Sequence, residues 1–97
     1  MKYKLTHRCD SDIVESKVFD SKQDAINMMI QKVKDIAMNC LQNDWIHEEL
    51  PGDAQMVYKK LLETGHVARE GDLKIRCFDF EELEVSLVKE REDNEYE

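Results

Sequence analysis

The histidine and the cysteine at positions 7 and 9 are the first residues in the chain that could do chemistry together. They stand two apart in a segment of alternating polarity, so a strand would place both on one face. There they could form a thiolate–imidazole pair or half of a zinc site. A zinc site needs two more ligands. Cys40 and His47 would align with each other only if the first helix ran as far as residue 47, which Asn43 and Asp44 disfavour. We therefore interpret His7 and Cys9 as core or surface residues.

Two further patterns also fall short of a catalytic or metal site. Residues 47–49, His-Glu-Glu, resemble the start of a zincin helix, but Pro51 occupies the place of the second histidine. Glu81, Glu82 and Glu84 could serve acid–base or divalent-cation chemistry. Neighbouring carboxylates in a solvated acidic segment usually stay ionised and repel one another. Because the three glycines are isolated, a phosphate-binding loop is not expected either. The sequence thus predicts a protein that is not an enzyme and has no cofactor and no metal.

The charge of the chain is concentrated at its C-terminal end. The net charge is −8, yet residues 1–77 carry only −1, whereas residues 78–97 carry nine acids and two bases, a net of −7. This distribution argues against direct nucleic-acid binding through a basic face. It suits a basic protein partner, including one that itself binds nucleic acid.

Size and composition predict one domain that folds without disulfides. The chain has 97 residues, 41% of them hydrophobic, and its three cysteines are widely spaced, which is typical of reduced thiols. No apolar run is long enough for a membrane span, and the N-terminal ten residues lack the apolar core of a signal peptide. We therefore expect a cytoplasmic protein with no membrane partner.

The elements that must position the acidic residues follow from periodicity. Residues 2–9 and 13–19 alternate and predict a hairpin, and a long amphipathic helix follows after Asp20 or Ser21. A shorter helix begins after Asp53 and ends at Gly65. Strands are predicted over 66–69 and 73–80.

The stretch 83–87 is either an amphipathic strand or a short helix, and we favour the strand because Val85 then joins the apolar face. The predicted fold class is α+β, an antiparallel sheet with two helices on one face, in the order ββααβββ or ββααββα. The domain is expected to span 1–89, and 90–97 to be a disordered acidic tail.

Together these features favour a non-enzymatic interaction module that docks on a basic protein through its acidic C-terminal edge and tail. Two methionines off the helical stripe could add adaptable contacts. The predicted partner-binding residues are Asp79, Glu81, Glu82, Glu84, Glu90, Glu92, Asp93, Met28 and Met38. The alternative is a structural domain that forms a homodimer through strand edges or the methionines, with the tail only keeping it soluble.

In general character, a short, acidic α+β chain without motifs, the sequence is similar to many small phage-encoded proteins. These include inhibitors of host defence such as anti-CRISPR proteins. The similarity rests on size and charge and covers no specific motif. It implies an inhibitor, encoded by a phage or mobile element, whose carboxylates mimic nucleic-acid phosphates on a basic host protein.

Overall fold

The computed structural model describes residues 1–41 and 50–88, which form a five-stranded antiparallel sheet and two helices. The strands are β1 (Lys2–Cys9), β2 (Asp12–Phe19), β3 (Val67–Gly71), β4 (Lys74–Cys77) and β5 (Glu81–Val88). The helices α1 (Lys22–Leu41) and α2 (Ala54–Thr64) lie between β2 and β3 in the chain. The predicted α+β class and the order ββααβββ are confirmed, and 83–87 belongs to a strand, so the helical alternative was wrong. The predicted tail lies outside the described residues.

The strands are arranged in the order β2-β1-β5-β4-β3, so β5 lies at the centre of the sheet. It pairs with β1 on one side, Leu5 opposite Val85, and with β4 on the other, Ile75 opposite Leu83. This placement corrects the expectation of an acidic edge: the folded part of the acidic segment is the central strand. A central strand needs an apolar face toward the helices, and Leu83 and Val85 supply it.

Both helices begin, and the shorter one ends, where local chemistry predicts. The Ser21 hydroxyl accepts a hydrogen bond from the Asp24 amide at the start of α1. The Asp53 carboxylate accepts hydrogen bonds from the amides of Gln55 and Met56 at the start of α2. Gly65 ends α2 with φ 85°, a left-handed conformation that favours glycine.

One hydrophobic core joins the helices to a single face of the sheet. The long helix packs on β1, β5 and β2, and the shorter helix packs on the long helix and on β3. None of the helices in the described ranges is long and apolar enough to cross a membrane. The buried apolar residues are Leu5, Ala25, Met29, Ile30, Val33, Ile36, Ala37, Val57, Tyr58, Leu61, Val67, Ile75, Cys77, Phe78, Leu83 and Val85.

Candidate interaction surface

Two tight turns lie side by side at one end of the sheet. Asp10 and Ser11 join β1 to β2, and both have positive φ, 52° and 78°, as a two-residue type I′ hairpin turn requires. Phe78 and Asp79 begin the connection from β4 to β5 with φ of 53° and 68°. The Asp10 amide donates a hydrogen bond of 2.9 Å to the Phe80 carbonyl oxygen, which ties the two turns together. We call this the turn end.

The buried ring of Phe78 fixes the second turn to the folded domain. It is 9% exposed, its centroid lies 5.5 Å from that of His66, and its amide donates to the His66 carbonyl oxygen. A bulky side chain at positive φ is uncommon, since it crowds the backbone, so the buried ring must offset that strain. The result is that Asp79, the next residue, is held exposed in a fixed turn.

An open cleft of about 420 Å³ lies at the turn end. Its lining combines carboxylates with two arginines. The lining residues are Arg8, Asp10, Ser11, Arg76, Asp79, Phe80, Glu81 and Glu82. Three of the predicted partner-binding residues, Asp79, Glu81 and Glu82, therefore meet in one place. Asp10 was missed as a candidate because only the pairing of β1 with β5, which are distant in the chain, brings it there.

The sheet face that lacks the apolar core carries a ladder of ion pairs. Glu82 lies 3.2 Å from Lys74 and 3.7 Å from Arg8, and Glu84 lies 3.5 Å from Arg8, each measured between nitrogen and oxygen. Arg76 pairs with Glu70 of β3 at 2.9 Å. Because Glu82 and Glu84 are matched by cations of their own chain, they present less net charge than the sequence alone implies.

Glu81 points to the other face of the sheet. Its carboxylate lies 2.5 Å from His7 Nε2, and these side chains are only 16% and 12% exposed. The predicted shared face of His7 and Cys9 is present, but the partner of His7 is Glu81. This half-buried pair pins β1 to β5 beneath the turn end.

The surroundings of Cys9 disfavour a reactive thiolate. Burial raises the pKa of the Cys9 thiol, and the negative charges of Glu81, Asp10 and Asp12 raise it further. Across residues 1–41 and 50–88, no group of three histidine, cysteine or carboxylate side chains could hold a metal ion.

The remaining predicted binding residues lie elsewhere. Met28 is half-buried against the core, and Met38 is 45% exposed; neither lines the cleft. The described structure thus does not unite the methionines with the carboxylates in one cleft. Glu90, Glu92 and Asp93 lie outside the described residues.

A separate ion pair ties the long helix to strand β2 and makes stability depend on pH. The Lys32 ammonium donates a hydrogen bond to Glu15, and this bond and the positive charge lower the pKa of that carboxyl. A carboxyl with a lowered folded pKa stabilises the fold above its unfolded pKa and loses that contribution as pH falls. We expect stability to drop between about pH 4.3 and the lower folded pKa of Glu15.

Replacing Lys32 by Met should therefore flatten the acid side of the stability profile, measured by denaturant unfolding from about pH 6 to about pH 3. Lys34→Met is the matched control, because Lys34 donates to the Gly52 carbonyl oxygen, which does not titrate. If Lys32→Met leaves the acid slope unchanged, or if Lys34→Met flattens it equally, the assignment to the Lys32–Glu15 pair is wrong.

Comparison of the chain with known proteins finds no matching family model, no similar curated protein and no similar solved structure.

Proposed function

We propose that this protein is a non-enzymatic interaction module that binds a basic protein partner through the turn end and the acidic segment that follows β5. The observation that carries the proposal is the pattern of ion pairs around the cleft. Arg8 and Arg76 are committed to glutamates of their own chain. Asp10 and Asp79 are exposed and form no ion pair with the described residues. The charge left over at the turn end is therefore negative.

The rigidity of the turn end adds to this support. Carboxylates on tight turns, joined by a backbone hydrogen bond, lose little conformational freedom when a partner binds. Asp12 is exposed at the start of β2 and lies close enough to Cys9 to raise the pKa of its thiol. It therefore adds a third carboxylate to those of Asp10 and Asp79 at the turn end. A partner with clustered lysine or arginine side chains would find three aspartates in fixed positions.

The absence of an enzymatic role is part of the proposal, and the chemistry of the described residues favours it. His7 is held by Glu81, and the raised pKa of Cys9 keeps the thiol protonated, so these two residues lack the activated nucleophile that covalent catalysis needs. The carboxylates of β5 are engaged in ion pairs instead of being isolated in an apolar pocket.

A sharper form of the proposal is nucleic-acid mimicry. The carboxylates would then occupy phosphate positions on a nucleic-acid-binding protein, as expected of an inhibitor encoded by a phage or mobile element. A competition experiment with nucleic acid distinguishes mimicry from docking on a basic surface that does not bind nucleic acid. A short duplex or single strand of nucleic acid should displace the protein from a mimicry partner, whereas a partner bound at another surface would hold both at once.

The general proposal is tested by removing charge from the turn end. We expect the triple substitution Asp10→Asn, Asp12→Asn, Asp79→Asn to reduce capture of basic partners from a lysate by about tenfold at low salt. Asparagine tolerates positive φ, so both turns should be preserved. The matched control removes three exposed carboxylates elsewhere, Asp35→Asn, Glu63→Gln and Asp72→Asn. Equal capture by the turn-end variant and the wild type would refute the proposal.

A structural domain that assembles with copies of itself is the second candidate function. It is favoured by β2, an edge strand with seven of its eight residues exposed. Among them Ile13, Val14 and Val18 are 63%, 59% and 50% exposed. Apolar side chains on an unpaired strand edge are a typical site of strand addition.

A further inference from the structure

The two edges of the sheet differ in how well they are protected against pairing with another chain. Strand β3 is five residues long and carries Arg69 and Glu70, features that blunt an edge. Strand β2 is eight residues long, contains no proline, and displays three exposed aliphatic side chains. Its one irregularity is a bulge near Val14, where the register with β1 shifts between His7 and Arg8. From Glu15 to Phe19 the strand pairs regularly, so its outer edge is straight enough to accept another strand.

We propose that β2 pairs antiparallel with β2 of a second copy, with Ser16 on the two-fold axis, which joins two sheets into one of ten strands. This inference rests on the second candidate function and is independent of docking at the turn end. In a symmetric antiparallel pair, one residue must lie opposite the same residue of the other copy, because side chains alternate between the two faces of the sheet. Each possible register is therefore defined by the residue of β2 that lies on the two-fold axis.

Charge excludes two of these registers and favours a third. With Glu15 on the axis two carboxylates would face each other, and with Lys17 on the axis two ammonium groups would do so. Like charges directly opposite one another destabilise a strand pair. With Ser16 on the axis, Glu15 of each copy lies opposite Lys17 of the other, which gives two oppositely charged pairs. Lys32 holds one oxygen of Glu15, yet 49% of that side chain stays exposed and can meet a second cation.

The same register also pairs the apolar residues. It brings Val14, which lies at the bulge, close to Val18 of the other copy on each side of the axis, and both side chains are exposed. Val18 lies beside Lys4, on the sheet face opposite the helix-packed Leu5, so the helices do not obstruct the contact. Opposite charges and apolar pairs in a single register make the edge self-complementary.

Static light scattering or sedimentation of the purified chain tests this inference directly. Wild type should be a dimer in the micromolar range, and Lys17→Glu should raise its dimer dissociation constant by about tenfold or more, because two attractive pairs become repulsive. Glu15→Lys should do the same. An equimolar mixture of the two variants should recover the dimer, because the reversed charges are again opposite one another in the mixed pair.

A wild-type monomer at high concentration would overturn the inference, and so would a dimer that survives both substitutions. Failure of the mixture to associate would overturn the proposed register. Amide exchange of each variant alone checks that the sheet is intact, so a loss of folding cannot be mistaken for a loss of pairing. Both variants keep Asp10, Asp12 and Asp79, and their capture of a basic partner should therefore be unchanged. A failure of dimerisation is thus distinguishable from a failure of docking.

Discussion

Replacing Leu83 by alanine should lower the free energy of unfolding by about 2–5 kcal/mol. Leu83 is fully buried on the central strand, between Ile75 of β4 and His7 of β1, and faces the helices. Truncation removes apolar area from the core and leaves a cavity that strands on both sides prevent from collapsing. Denaturant unfolding monitored by circular dichroism measures the change.

Leu87→Ala is the matched control, on the same strand and with the same atoms removed. Leu87 is 51% exposed, so we expect its truncation to cost well under 1 kcal/mol. Val85→Ala should be clearly destabilising, because Val85 is buried in the strand but would face solvent in a helix. Similar losses of stability for Leu83→Ala and Leu87→Ala, with no loss for Val85→Ala, would contradict the assignment of this segment to a central strand.

The second large effect is expected at Phe78, the anchor of the turn that displays Asp79. Phe78→Ala should cost about 3 kcal/mol, since the buried ring and its contacts with His66 and Phe80 are lost. Phe78→Gly should be less damaging than Phe78→Ala by about 1 kcal/mol, because glycine adopts φ of 53° without the penalty of a Cβ. This order reverses the usual preference for alanine over glycine.

The same two substitutions at Ser86 give the comparison. Ser86 is exposed on β5 and has no positive φ, so alanine should there be more stable than glycine by about 0.5–1 kcal/mol. Thermal or denaturant unfolding of the four variants decides the matter. If the alanine variant is more stable than the glycine variant at both positions, the assignment of a left-handed conformation to Phe78 is wrong.

Local chemistry made much of the fold predictable. The periodicity of Ile26 to Ala37, the cap at Asp53 and the glycine at 65 each act over a few residues, and they correctly predicted the long helix and both ends of the shorter one. The first strand was predictable for the same reason. The end of β4 was not, because a phenylalanine gives no local signal for positive φ, and the strand predicted to reach Phe80 ends at Cys77.

The contacts that strand β5 makes with β1 depended on long-range pairing and could not be predicted from local patterns. Only the register of β1 with β5 brings Arg8 beside Glu82 and Glu84 and joins Asp10 to Phe80. The sequence suggested an acidic edge, but the negative charges of Glu82 and Glu84 are largely compensated by cations on the same sheet face. The bulge in β2 was also not predicted, because its residues Ile13 and Val14 are apolar like those of an ordinary strand and give no local signal of an extra residue.

We propose that the negative turn end binds a basic protein partner, and this binding can be measured directly. The most direct measurement is the affinity of a captured partner for the wild type, the turn-end triple variant and the charge-matched control, each over a range of salt concentrations. We predict that the turn-end variant binds about tenfold more weakly at low salt, that the difference narrows as salt screens the charges, and that the control binds like the wild type. Equal weakening of both variants, unchanged affinity of the turn-end variant, or a wild type that captures no basic partner would contradict the claim.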